Sequence, residues 1–209
     1  MQINQSYFIT GIGTDVGKTV TSAIVVKALN ADYWKPVQAG DLEYSDTDKV
    51  KAMVNDKNIV FHDNSYALKT PMSPHAAADI DDVEIDLARI KKPNTENSLV
   101  IEGAGGLLVP LNKKDTIADL ISKDDKIILV SRHYLGSINH TLLSLEYLKQ
   151  KGFSKIGIIF SGNEHPTTES IILSKTKAKF IGRINEENKF SPDVIDEYAK
   201  QFRENLNTL

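Results

Sequence analysis

Gly11-Ile12-Gly13-Thr14-Asp15-Val16-Gly17-Lys18-Thr19 lies between the apolar run Tyr7-Phe8-Ile9 and a stretch, residues 18–29, that is apolar nearly all round. A glycine-rich turn after a strand lets successive backbone N–H groups face inward around a phosphate. The helix that follows adds the positive end of its dipole. Lys18 is then placed to reach the outer phosphates, and the Thr19 hydroxyl to ligate magnesium. The usual form of such a loop has glycine five residues before the position of Gly17, but Ile12 stands there. Glycine comes one residue earlier, at Gly11, so five residues separate the two glycines.

Further along the chain, short apolar runs alternate with helical patterns. Strands are predicted over residues 6–10, 32–35, 98–102, 126–131, 155–161 and 180–184. Several are continuously apolar, such as Ile127-Ile128-Leu129-Val130, which is how strands buried on both faces of a parallel sheet read. Helices are predicted over residues 18–29, 46–54, 83–90, 115–121, 137–149 and 192–206. In the last, Ile195, Tyr198, Phe202 and Leu206 recur at helical spacing behind an N-cap serine and first-turn proline, Ser191-Pro192. This alternation implies an α/β fold: a single P-loop domain over residues 1–209, with a mainly parallel central sheet and helices on both faces. Residues 40–97 lack a clear core strand and read as an irregular excursion over one end of the sheet. Ligands of such sheets bind beyond the carboxyl ends of the strands.

Composition narrows the function. The 209 residues carry a net charge of -3 with 41% apolar residues, so nothing favours a polyanionic partner such as nucleic acid. With no cysteine, thiolate catalysis and Cys-ligated metals are excluded. The first residues, Met1-Gln2-Ile3-Asn4-Gln5, lack a basic leader, and no apolar stretch reaches the roughly 20 residues that span a bilayer. A cytoplasmic protein without membrane partners is expected.

Two carboxylates suit a metal beside the phosphate loop. Glu102 ends the strand at 98–102 and precedes Gly103-Ala104-Gly105-Gly106, small residues that let backbone approach a ligand closely. Asp46, in Tyr44-Ser45-Asp46-Thr47-Asp48, heads a helix. Asp48 is a rival for the same role, and both fit an ordinary helix start. Lys35 ends the second strand, where it would point into the cleft that holds Lys18.

The order and spacing of these features resemble the dethiobiotin synthetase family. The resemblance is carried by the glycine–lysine–threonine loop, by Lys35-Pro36-Val37 with Gly40, and by Glu102-Gly103-Ala104-Gly105-Gly106. It is also carried by Pro71 with Ser73-Pro74-His75, and by Leu135-Gly136 with Ile138-Asn139-His140. It implies a ligase that uses ATP and magnesium to condense 7,8-diaminononanoate with CO2 (or bicarbonate) into a cyclic urea in biotin synthesis. An amine becomes a carbamate, its oxygen takes the γ-phosphoryl group, and the second amine closes the ring. The implied catalytic residues are Lys18 and Lys35, and the implied magnesium ligands are Thr19, Asp46 and Glu102. Nucleotide contacts would come from Gly13, Thr14, Asp15, Val16, Gly17, Lys18, Thr19 and Val20, with Asp46, Glu102, Gly103, Ala104, Gly105 and the purine-contacting Asn163. The diamine would meet Thr14, Lys35, Ala39, Gly105 and Gly106, and also Leu135, Gly136 and Asn139 of a partner subunit in a homodimer. Ala39 replaces a hydroxyl residue of some members, and residues 180–185 lack a proline common in the family. His75 and His140 read equally well as structural.

A partitioning or positioning ATPase switch would share the fold. Such proteins place an extra lysine early in the loop, where this chain has Ile12, Gly13 and Thr14.

Overall fold

The computed structural model describes residues 5–209. Seven strands form one sheet in the order β4-β2-β6-β1-β7-β8-β9. They are β1 (Ser6–Gly11), β2 (Asp32–Trp34), β4 (Phe61–His62), β6 (Leu99–Gly106), β7 (Lys126–Arg132), β8 (Ile156–Ser161) and β9 (Lys179–Ile184). Every pairing between them is parallel. Two short strands, β3 (Val37–Ala39) and β5 (Tyr66–Leu68), make a second parallel pair.

Side chains alternate across the sheet, as the pleat requires. Ile9, Val100, Ile128 and Ile159 enter a core shared with α1 (Lys18–Leu29), α2 (Asp46–Val54) and α6 (Pro192–Asn207). Phe8, Ile101, Ile127, Leu129 and Phe160 face the other way. That layer contains α3 (Pro74–Ile80), α4 (Ser137–Gln150) and α5 (Pro166–Lys175). Helices thus cover both faces of one P-loop α/β domain, as expected from the continuous apolar runs. Helix α1 is interior, packed between sheet, α2 and α6. Ser191 caps α6 by accepting a hydrogen bond from the Val194 amide, with Pro192 in the first turn.

Two predicted helices shrink to single 3-10 turns. Over residues 115–121 only Ile117–Leu120 is helical, because the Ile117 and Ala118 amides donate to the carbonyls of Val109 and Leu107. Those bonds stitch the segment to the chain after β6, while the Asp119 and Ile121 amides close tight three-residue turns onto the carbonyls of Thr116 and Ala118. Over residues 83–90 only Leu87–Arg89 turns, with Asp86 accepting from the Ala88 amide. Here Val83, Ile85 and Leu87 alternate instead of following a helical period, and Ile85 alone of the three is buried. Residues 40–97 are more regular than expected: β4 extends the main sheet beside β2, and α2 packs on α1.

The extra residue of the phosphate loop also finds its reason. A Cβ on Gly11 would lie 2.5 Å from Val16 Cγ2 and 2.9 Å from the Gly13 carbonyl, so the longer loop folds back over a position only glycine can fill. Alongside, β6 bulges. Ile9 pairs with Glu102 and Gly11 with Gly106, so β6 advances four residues while β1 advances two.

Candidate active site

The strand order puts the loop after β1 at the centre, flanked by the ends of β2 and β6 on one side and of β7, β8 and β9 on the other. A cavity of about 800 Å³ opens there, a volume suited to a nucleotide and a small substrate. Thr14, Asp15, Gly17, Lys18, Thr19 and Val20 line its middle. Lys35, Ala39, Asp46, Glu102, Ala104 and Gly105 line the β2–β6 side. Ser161, Ile184, Asn185 and Phe190 line the β8–β9 side.

The helix start at the centre suits a phosphate. Gly17, at φ 94°, is the N-cap of α1, and no side chain caps the helix. Its first N–H groups therefore lack intrahelical partners and face the cavity with the dipole behind them. A Cβ on Gly17 would meet Ser161 Oγ at 2.9 Å. Lys18 folds back so that Nζ donates to the Gly13 carbonyl at 2.9 Å. Burial first, and then the Lys35 charge, lower the Lys18 pKa against the pull of Glu102.

Beside it lies a charged cluster drawn from four elements. Lys35 Nζ stands 2.7 Å from Asp46 Oδ2 and 3.0 Å from Glu102 Oε1. Thr19 Oγ1 donates to the same Glu102 oxygen at 3.1 Å, and the Tyr33 hydroxyl donates to Oε2 at 3.0 Å. Lys35 is 4% exposed and Glu102 1%. Burial disfavours the charged form of Lys35, but Glu102 and Asp46 outweigh it and its pKa is raised. Burial likewise opposes the Asp46 carboxylate, and Lys35, with Lys49, prevails to hold it below its usual range. Burial and then the Glu102 charge push the Tyr33 phenol well up, so it remains a neutral donor. Since two carboxylates offset Lys35, the field in this part of the cleft is not simply cationic, a point that the two lysines alone would not suggest.

Local sequence explains how Asp46 arrives there. Ser45 and Asp48 form a capping box: the Asp48 carboxylate accepts from the Ser45 amide at 2.9 Å and from its hydroxyl at 2.6 Å. Those bonds hold Asp48, exposed, on its own helix end and lower its pKa. Asp46 is left free to point inward, and Gln38 Oε1 accepts from its amide at 3.3 Å. Between the two rivals, Asp46 is the residue that lines the cavity.

The donor set fits magnesium. The groups are all oxygen: the Asp46 and Glu102 carboxylates meet at the Lys35 ammonium, and the Thr19 hydroxyl meets the same Glu102 oxygen. Among the described residues no three His, Cys, Asp or Glu side chains gather as a cage. A hard ion that shares its shell with phosphate oxygens and water needs no more than this.

Several predicted contacts fall elsewhere. Gly13 and Gly106 line a neighbouring groove instead, and Val16 and Gly103 are buried beneath the site. Leu135, Gly136 and Asn139 are exposed at the start of α4, outside this cavity. Asn163 is exposed on the turn after β8, beside Gly162 at φ 99°, and does not line the cavity. Asn185, after β9, occupies the corresponding end of the cavity. Tyr33 was not foreseen, since a tyrosine inside a short apolar strand reads as core.

Residues 5–194 match the model of an AAA domain family. Solved structures with the same architecture include a putative plasmid partition protein of Borrelia burgdorferi bound to AMPPNP, at TM-score 0.61 and 13% identity, covering 99% of both chains. At that identity the likeness concerns the fold alone, so it does not favour the switch reading. The ATP-dependent dethiobiotin synthetase BioD of Christiangramia forsetii is 66% identical over 202 residues, 97% of this chain and 98% of that protein. Its counterpart in Cytophaga hutchinsonii is 48% identical over 203 residues, 96% and 98% of the two chains. With full-length likeness at that level, the chain belongs to the dethiobiotin synthetase family.

Proposed function

We propose that the chain is an ATP-dependent ligase that joins 7,8-diaminononanoate and CO2 into the cyclic urea of dethiobiotin. The observation that carries this reading is the meeting of Lys18, Lys35, Asp46 and Glu102 in one cavity beside an uncapped helix start. The switch ATPases take their extra lysine from the phosphate loop itself, whereas here the second buried lysine follows β2 and pairs with Asp46 and Glu102.

In this reading the triphosphate lies over the N-terminus of α1, with Lys18 at its outer phosphates. The nucleoside runs toward Val20, Ile184, Asn185 and Phe190, so Asn185 takes the place given to Asn163 by the resemblance. The diamine occupies the β2–β6 side, near Thr14, Ala39 and Gly105. One amine adds to CO2 and loses a proton to give the carbamate. A carbamate oxygen then takes the γ-phosphoryl group and ADP leaves. The second amine attacks the carbonyl carbon, loses a proton and expels phosphate. Lys18 and Lys35 hold negative charge where it develops in the transfer. Magnesium held by Thr19, Asp46 and Glu102 would neutralise phosphate charge.

Leu135, Gly136 and Asn139 fit a substrate contact only from a second copy of the chain. Leu135 is fully exposed, and Leu108 and Leu143 stand out beside an apolar groove of about 440 Å³ along α4. Patches of this kind mark interfaces, and a homodimer is the reading that accounts for them. Among the described residues no helix is long and apolar enough to cross a membrane.

The test is isotopic. Protein incubated with ATP, magnesium, the diamine and labelled bicarbonate yields dethiobiotin with label in the ureido carbonyl by mass spectrometry. Unlabelled product, or none, removes the reading.

A further inference from the structure

Tyr33 and Lys35 are two residues apart on one extended segment, so their side chains leave it on the same side. Both end on one carboxylate: Lys35 Nζ on Glu102 Oε1 and the Tyr33 hydroxyl on Oε2. Oε1 has a second donor in Thr19. For Oε2, Tyr33 is the sole hydrogen-bond donor among the described residues. The tyrosine is fully buried, its backbone in register with Val100 on β6 and its ring tilted against Phe61 at 6.0 Å.

Glu102 needs such an anchor. It is the last regularly paired residue of β6 before the Gly103–Gly105 bulge, where the strand backbone stops constraining direction. A carboxylate gripped only at Oε1 could swing about that oxygen. A donor on Oε2 fixes its plane and keeps Oε1 turned toward Thr19 and the cavity. Groups that orient a ligating side chain from behind typically contribute ten- to a hundredfold, roughly, in metal affinity or activity.

We propose that Tyr33 is a positioning residue for the metal-bearing carboxylate, acting on divalent-cation binding through its hydroxyl and Glu102 Oε2. The inference rests on the reading that Glu102 holds the metal. Tyr33→Phe deletes one oxygen and keeps the ring that packs on Phe61.

The experiment titrates Mn²⁺, followed by the electron paramagnetic resonance of the free ion, into protein saturated with ADP. Wild type, Tyr33→Phe, Glu102→Gln and the double variant are compared, with ADP affinity in EDTA as the metal-free control. Tyr33→Phe is expected to weaken Mn²⁺ binding about tenfold while metal-free ADP affinity stays at the wild-type value. The double variant is expected to match Glu102→Gln, since one path serves both residues. A Tyr33→Phe constant equal to wild type overturns the inference, as does the same loss added again on the Glu102→Gln background. If Glu102→Gln itself leaves Mn²⁺ binding unchanged, the metal reading of Glu102 fails and the role of Tyr33 fails with it. If Glu102→Gln weakens binding and Tyr33→Phe does not, only the role of Tyr33 is lost.

Discussion

Replacing Lys35 by methionine keeps the apolar stem and removes the ammonium that joins Asp46, at 2.7 Å, to Glu102, at 3.0 Å. Two consequences separate cleanly. The first is stability: removing one member of a buried ion pair costs about 3–5 kcal/mol, because the partner charge stays buried. Asp46 is 22% exposed at its side chain and opens on the cavity, which favours the lower end, about 3 kcal/mol. In a chain of this size each kcal/mol moves the melting point by about 2–4 °C, so a drop of about 6–12 °C is expected. Millimolar Mg²⁺ should recover part of it, since a divalent ion would answer both carboxylates. The second consequence is catalytic. Losing a fixed cation at the developing charge costs roughly a hundred- to a thousandfold in turnover, while ADP affinity, set by the helix start and Lys18, stays within about threefold. Differential scanning calorimetry with and without Mg²⁺, isothermal titration with ADP, and dethiobiotin formation measure the three quantities. An unchanged melting point, or a loss confined to nucleotide affinity with turnover intact, would refute the reasoning.

Other substitutions test neighbouring parts. Asp48→Ala should cost about 1 kcal/mol by removing half of the capping box that Ser45 heads and leave turnover intact, whereas Asp46→Ala should abolish magnesium-dependent turnover in the same steady-state assay. Gly17→Ala forces a Cβ onto Ser161 Oγ at a positive φ. It should cost about 1–2 kcal/mol in chemical denaturation and lower nucleotide affinity in titration calorimetry, with partial recovery on adding Ser161→Gly. The Lys35–Asp46 pair also carries a pH signature. The Asp46 pKa is lowered in the fold, so its contribution is present above the unfolded value near pH 4 and fades as pH falls through the folded one. The Lys35 pKa is raised, so its contribution is complete below about pH 10 and fades as pH rises through the folded value. The stability difference between wild type and Lys35→Met, by urea unfolding, should therefore be flat across neutral pH and shrink at both extremes.

Features that rest on local chemistry were legible in the sequence. The loop at residues 11–19 announces itself through glycine placement, and Ile127 to Val130 could be little else than a strand buried on both faces. The interior character of α1 follows from the same absence of a polar stripe. What escaped depends on long-range partners. Strands of two or three residues, such as Phe61–His62, are too short to show a period and exist because β2 offers them an edge. The segment at Ile117 and Ala118 stays a single turn tied to β6's exit, since carbonyls eight and eleven residues upstream accept from these two amides. Pro166–Lys175 was missed although Pro166 and Glu169 sit where a helix start wants them, because its apolar residues form no clear stripe. In the site, Asp46 could not be told from Asp48 until the capping box claimed the latter. Tyr33 was silent because its ring behaves as core while only its oxygen serves the site.

The most direct test follows phosphate and product together in one vessel with ATP, Mg²⁺ and bicarbonate. If Lys18 and Lys35 work on a carbamate and not on water, phosphate release should be negligible until 7,8-diaminononanoate is added, and then match dethiobiotin mole for mole. ATP turnover that runs equally fast without the diamine would contradict the account.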